Sequence, residues 1–310
     1  MEKYTSEILC MGTLITQTIY GEDSESIACE VEDEMRKLER IMNFHNENSE
    51  LSLLNRQAYN KHMKVSDDIF YVIKEAKQIS DITNGAFDVT IGSVTDLWGI
   101  FSNNERVPYE SEITNTLKWK GYKYIDINEK EKSIMFTNDK IKVDLGGIAK
   151  GYAADKAMEI YKKHGVKGAM INLGGNVSVY KAPLAKDYWC VGLQHPLKKR
   201  NELIGALYCK DETIVTSGNY ERFFEKNGEK YGHIINTETG YPVENDLLSV
   251  TVVTKKSIIA DGLATAFYAE GYEKSLKIIE KMDDIDAVFI TKDEKVYVTN
   301  NILNRFVLAK

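Results

Sequence analysis

The stretch V-D-L-G-G-I-A-K-G-Y-A-A-D-K-A, residues 143–157, decides how the rest of the chain is read. A β-branched lead-in at Ile141 and Val143 enters the Gly146–Gly147 pair. Good helix formers follow, with small residues at Ala149, Gly151, Ala153 and Ala154. That order predicts a strand end, a tight glycine turn and a helix packed closely against a neighbour. Backbone N–H groups at such a turn, with the positive end of a helix dipole, suit an anion. Asp144 and Lys150 add an acceptor and a donor on either side. An ordinary strand–turn–helix accounts for the same residues. The spacing matches neither G-x-G-x-x-G nor G-x-x-x-x-G-K-[ST], which excludes the dinucleotide fingerprint and the Walker phosphate loop.

Further along, a second L-G-G at 173–175 ends an apolar strand at 168–173. Two such turns are either two edges of one site or a chance likeness. Upstream, residues 4–20 alternate as one or two strands about Met11-Gly12. A helix with Ser24 as N-cap then carries Ile27, Val31, Met35, Leu38 and Met42 inward, its intervening charges forming a solvated face. Residues 43–60 read as irregular, with a short turn at Leu51, Leu53 and Leu54. A second helix begins at Ser66 and stops near Asn84-Gly85. A glycine-bracketed run at 85–92, a loop to Pro108 and a short helix at 111–119 come next. Strand candidates at 122–126, 133–137 and 140–144 lead into the opening stretch, whose helix runs to about His164.

Downstream, strands are expected at 177–180, 189–193, 203–208, 213–216 and 248–254, with a hairpin turning at Asn227-Gly228. An Ala-rich helix at 257–270, another to about Met282, and short strands at 288–291, 295–299 and 306–308 complete the chain. Four prolines and no low-complexity run leave no linker, so residues 1–310 read as one α+β unit with intertwined halves.

The 43% hydrophobic content and mean hydropathy of −0.35 are those of an ordinary globular protein. The net charge of −7 is spread along the chain, so nothing suggests a nucleic-acid footprint. An acidic chain that binds a polyanion needs a local remedy, such as a metal ion or focused backbone donors. The four cysteines form no C-x-x-C pair and read as thiols rather than a disulfide frame or zinc site. No apolar stretch approaches the ~20 residues of a membrane span. The N-terminus has charges where a signal peptide places its apolar core, and Cys10 after Ile8-Leu9 is only faintly a lipidation signal, so a cytoplasmic location is expected.

Two segments carry residues suited to chemistry. In S-I-I-A-D-G-L-A-T-A-F, 257–267, a helix sets Asp261 and Thr265 one turn apart on one face, where a carboxylate and a hydroxyl can hold a hard cation such as Mg²⁺. Read alone, the pair is better explained as a first-turn acid and a back-bonded threonine. His233, in Y-G-H-I-I-N-T-E-T-G-Y-P, stands between a strand and a turn, where an imidazole near neutral pH can act as a base, although a lone histidine is more often structural. T-S-G-N-Y, 216–220, lacks the G-x-S-x-G elbow of a serine hydrolase.

Taken in order, G-A-F-D-V-T (85–90), D-L-G-G-I-A-K-G-Y-A-A-D (144–155), N-L-G-G-N (172–176), T-S-G-N-Y (216–220), H-I-I-N-T-E-T-G-Y-P-V (233–243) and A-D-G-L-A-T-A (260–266) resemble the FAD:protein FMN transferases, the ApbE family. The resemblance runs from Met11 to about Gly271. It implies an α+β architecture of intertwined mixed sheets with flanking helices around a T-fold-like core. It also implies an Mg²⁺-dependent enzyme that takes FAD as substrate and transfers its FMN moiety to a Thr or Ser hydroxyl of an acceptor flavoprotein, releasing AMP. By matching positions, Asp261 and Thr265 resemble the metal ligands, with backbone carbonyls at Gly147 and Ala264. Met11, Ala86, Phe87, Asp88, Asp144 and Lys150 resemble FAD-binding positions, and His233 the base. Asn236-Thr237 departs from the family's Asp-Pro, and with it a proline-fixed φ is lost. An FAD pyrophosphatase, or a flavin-binding or delivery protein without catalysis, are the competing readings.

Overall fold

The alternation at the N-terminus becomes a hairpin of two strands, β1 (Lys3–Cys10) and β2 (Thr13–Tyr20), in register from Lys3↔Tyr20 to Cys10↔Thr13. Met11 (φ 53°) and Gly12 (φ 68°) make its two-residue turn in the left-handed region that matches strand twist. This computed structural model describes residues 3–100, 104–220 and 222–309. Residues 101–103 of the expected loop to Pro108 lie outside the described residues.

The chain continues through α1 (Ser24–Met42), α2 (Glu50–Gln57), β3 (Met63–Lys64), α3 (Asp67–Ile82), α4 (Gly92–Trp98), α5 (Glu110–Leu117), β4 (Ile125–Asn128), β5 (Ser133–Phe136), α6 (Ala149–Lys163), β6 (Gly168–Leu173) and β7 (Asn176–Lys181). Next come β8 (Trp189–Gln194), β9 (Leu203–Cys209), β10 (Thr213–Ser217), β11 (Phe223–Lys226), β12 (Glu229–Gly232), β13 (Leu247–Thr254), α7 (Ser257–Glu270), α8 (Tyr272–Ile279), β14 (Asp286–Thr291), β15 (Val296–Val298) and β16 (Phe306–Leu308). An eight-stranded sheet runs β1-β2-β6-β7-β10-β13-β14-β15; β16-β9-β8, β3-β5-β4 and β11-β12 form smaller ones. Among the described residues the named strands pair antiparallel, and parallel pairing is confined to isolated bridges at Tyr59↔Phe136 and Ile91↔Lys142.

The inner strands β13 and β14 of the large sheet are buried on both faces and so read as continuous apolar runs, whereas β1 at its edge is exposed at alternate residues. Val250, Val252, Ala287 and Phe289 pack toward the helices, in a core with Val31, Ile73, Ala153 and Phe267. Their neighbours Val253, Val288 and Ile290 face the other way, onto Val191, Leu193 and Leu207 of β8 and β9. A smaller core joins Val94, Trp98 and Ile113 of α4 and α5 to Ile235. Among the described residues no helix is long and apolar enough to cross a membrane.

Three local expectations are corrected. Ser24 is the first residue of α1 rather than its cap. Asp23 holds the cap position in left-handed backbone without a side-chain cap bond, and Ser24 Oγ donates to the Gly21 carbonyl (2.8 Å). Residues 43–60 contain the helix α2, started by Ser49 Oγ accepting from Ser52 N–H (3.0 Å) and held by buried Leu51 and Leu54. Residues 140–144 form no strand: Asn55 takes the place of a partner strand at Val143, its Oδ1 accepting from Val143 N–H (2.8 Å) and its Nδ2 donating to Val143 O (2.9 Å).

Candidate active site

Strand register brings distant motifs to one end of the large sheet. The pairs Cys10↔Thr13, Ile15↔Leu173, Leu173↔Asn176 and Val215↔Asn176 place the Met11-Gly12 turn, the second L-G-G turn and the end of β10 side by side. The turn before α6 adds Gly147, and α7 adds Asp261. Together they enclose a cleft of about 720 Å³, a volume ordinary for a small-molecule site. Both glycine turns line it, as two edges of one site. Gly146 and Gly147 do not use left-handed backbone. Gly147 is needed for space: a Cβ there would lie 3.2 Å from the Phe87 ring and 3.5 Å from Thr265 Oγ1.

Close packing of α6 on α7 fixes the acid. At Gly151 a Cβ would collide with the Ser257 carbonyl and lie 2.7 Å from Asp261 Cβ. The missing side chain lets Gly151 N–H donate to Asp261 Oδ2 (2.8 Å). Asp155 of α6 also caps α7, accepting from Ser257 N–H (2.8 Å) and Ile258 N–H (2.9 Å). Asp261 is 3% exposed, and Thr265 Oγ1 donates to its carbonyl (3.2 Å), which turns the hydroxyl's lone pairs away from the helix. Among the described residues no group of three or more His, Cys, Asp or Glu side chains could hold a metal ion. A cation here therefore depends on the hydroxyl and carbonyl oxygens beside Asp261.

His233 lies in the same cleft, just after β12. Its Nδ1 is 3.0 Å from the Arg222 carbonyl. A carbonyl only accepts, so Nδ1 carries the proton and Nε2 is the basic atom of the neutral ring. Burial lowers the imidazole from 6.5 to about 4, with the positive charges of Lys150 and Arg222 acting in the same direction. Arg222 Nη2 donates to Gly12 O (2.7 Å), tying the entry to the β11–β12 hairpin onto the β1–β2 turn.

The FAD-binding candidates also meet at the cleft. Met11 N–H donates to Glu39 Oε1 (2.7 Å). Phe87 and Ala86 follow the end of α3, where Thr83 Oγ1 accepts from Phe87 N–H (3.3 Å). Asp88 lines the cleft with its carboxylate turned to the loop: Oδ1 accepts from Thr90 N–H (2.9 Å) and Oγ1 (2.7 Å), and Oδ2 from Tyr122 N–H (3.1 Å). Asp144 accepts from Gly146 N–H (2.9 Å), and desolvation pushes its carboxyl above the usual range. Lys150 Nζ donates to Gly146 O (3.4 Å). Ala264 is fully buried and does not line the cleft.

Sequence reasoning passed over Glu39, Arg222 and Asn176. Glu39 belongs by pattern to the solvated face of α1, yet it reaches back to the β1–β2 turn. Its only sequence signal is its place one turn before Met42 on the edge of the apolar stripe. Asn236 compensates for the lost proline: its Oδ1 accepts from Glu238 N–H (2.8 Å) and Thr239 N–H (3.0 Å). Thr237 Oγ1 donates to Gly85 O (2.6 Å), a tie that proline could not make.

The fold is shared with known proteins. An FAD:protein FMN transferase of Klebsiella pneumoniae (strain 342) is 32% identical over 98% of this chain and 94% of its own length. The solved ApbE protein of Thermotoga maritima is 28% identical, with a TM-score of 0.91 over 98% of this chain and 99% of that one. The solved flavin transferase ApbE of Vibrio cholerae is 26% identical, with a TM-score of 0.84 over 98% of this chain and all (100%) of that one. The ApbE family model matches residues 11–289, which take in every stretch that builds the cleft, from the Met11 turn to α7. The chain belongs to the ApbE family.

Proposed function

We propose that the chain works as one unit that transfers the FMN moiety of FAD to a Thr or Ser hydroxyl of an acceptor flavoprotein, releasing AMP, with Mg²⁺ required. The observation that carries this reading is a neutral, oriented His233 in the same cleft as Asp261 and Thr265. A site that merely bound flavin would have no use for a half-buried, correctly protonated base.

The cleft's charge supports the metal. Among the described residues, Glu39, Asp88, Glu105, Asp144 and Asp261 line it against only Lys150 and Arg222 as lysine or arginine, an unfavourable setting for a diphosphate. Hard oxygens from Asp261, Thr265 and the Gly147 carbonyl suit Mg²⁺. When bound, the ion neutralises diphosphate charge and polarises the phosphorus under attack. Met11, Ala86, Phe87, Asp144 and Lys150 hold and orient the FAD, and Asp88 keeps the loop that carries Phe87 in shape. The acceptor's hydroxyl oxygen bonds to the phosphorus of the FMN half as the P–O bond to AMP breaks. AMP leaves with the bridging oxygen, and the hydroxyl proton passes to His233 Nε2.

The test is product analysis after incubation with FAD, Mg²⁺ and a flavoprotein domain. Phosphoester-linked FMN on the acceptor plus AMP is expected. Free FMN plus AMP would make the enzyme a pyrophosphatase, and intact FAD a binding protein.

A further inference from the structure

Asn176, the first residue of β7, is 1% exposed and lines the cleft, yet its Nδ2 has no hydrogen-bond partner. A buried donor left unpaired is costly and calls for an explanation. The other half of the amide is firmly held. Ser178 Oγ donates to Thr213 Oγ1 (2.9 Å), Thr213 Oγ1 to Ser257 Oγ (3.1 Å), and Ser257 Oγ to Asn176 Oδ1 (2.8 Å). All of these residues are buried. Thr213 Oγ1 also reaches the Val177 carbonyl (3.2 Å), and it is the Ser257 Oγ bond to Oδ1 that leaves the buried Nδ2 without a partner at the wall of the cleft. Ser257, Asp261 and Thr265 follow one another at four-residue steps on one face of α7. Asn176 therefore stands beside the row proposed to hold the cation. An N–H cannot ligate a cation, but it can bond the anionic oxygens that the cation attracts.

We propose that Asn176 is a ligand-binding residue whose Nδ2–H donates to a phosphate oxygen of the bound dinucleotide, and that Ser257 is the positioning residue that aims it. This rests on FAD being the substrate. Its partner is the diphosphate, rather than the flavin or adenine ring.

The test compares wild type, Asn176→Asp and Ser257→Ala as full chains with Mg²⁺. Titrations use FAD, ADP (a diphosphate without flavin) and riboflavin (a flavin without phosphate), with thermal melting alongside. Asn176→Asp keeps the shape but replaces the donor by an acceptor. It should weaken FAD and ADP on the order of 10- to 100-fold, the worth of one hydrogen bond to a charged group, and leave riboflavin unchanged. Ser257→Ala should shift the same two ligands by a smaller factor. Unchanged FAD and ADP affinities, an equal loss for riboflavin, or tighter FAD binding by Asn176→Asp would each overturn the assignment. Should Asn176→Asp not fold, the Ser257→Ala titrations decide by the same criteria. Wild type that binds no FAD would remove the substrate reading and this inference together, whereas wild type that binds FAD with insensitive variants removes only the inference.

Discussion

Replacing His233 by alanine separates chemistry from binding. The Arg222 carbonyl that orients the ring also accepts from the residue-233 backbone N–H (3.2 Å), so it keeps a partner when the imidazole is removed. The stability cost at pH 7 should therefore be about 1 kcal/mol. FAD affinity should hold, because the proposed flavin and metal contacts are made by other residues. Transfer should fall by about 10²–10⁴-fold, the usual worth of a positioned base. With burial setting the ring near 4, and Lys150 and Arg222 also disfavouring its charge, the wild-type rate should be flat around neutrality. It should fall as the pH drops through about 4, and the variant should lack that limb.

The same lowering has a stability consequence. The unfolded chain takes a proton near 6.5 and the native one only near 4. Stability is thus fully present above 6.5 and is lost as pH falls toward 4, by at most about 3 kcal/mol. His233→Ala should lose less stability over that window. Single-turnover transfer, FAD titration and melting from pH 4 to 8 (about the window set by His233) are the assays. A variant that keeps the transfer rate within a few-fold, or that loses binding, folding and rate together, refutes the base assignment.

Asp261→Ala and Asp261→Asn should both abolish Mg²⁺-supported FAD binding. Only alanine should lower the melting temperature sharply, because it strands the buried Gly151 N–H at about 1–3 kcal/mol; Asp283→Ala is the control expected to do little. Gly151→Ala forces α6 from α7 and should cost about 1–3 kcal/mol or more by chemical denaturation. Gly147→Ala should fold yet bind FAD less tightly on titration. Chelating divalent cations should stop turnover, and full activity under chelator would contradict the metal requirement. Arg222→Ala releases the tie to Gly12 and should speed hydrogen exchange in the 223–232 hairpin without changing exchange in α7.

Much of this was legible where a segment's own chemistry decides its form. Ser257–Glu270 is helical as its Ala-rich pattern predicts. The Asn227-Gly228 turn adopts the left-handed backbone that its residues favour, at φ 55° and 83°. Segments that borrow their structure from elsewhere were misread. Residues 140–144 look like a strand, but Asn55 answers the backbone groups of Val143, and the neighbours pair only in an isolated bridge, Ile91↔Lys142, beside the Asp144 N–H bond to Val89 O. The α2 helix is too short to show a period and depends on Ser49 as its cap. Strand order could not be read, because pairing β2 with β6 is set by packing between residues as distant as Ile15 and Leu173. At the site, motif residues announced themselves by type. Glu39 and Arg222 did not, since their roles come from the Met11-Gly12 turn folding back on them.

Intact mass of an acceptor flavoprotein domain, incubated with this chain, FAD and Mg²⁺, tests the central claim most directly. The account predicts a mass gain equal to FMN less one water, on a single Thr or Ser, with AMP released in equal amount. That gain should disappear with Asp261→Asn and nearly disappear with His233→Ala. An unmodified acceptor beside free FMN and AMP, or FAD recovered intact, would contradict it.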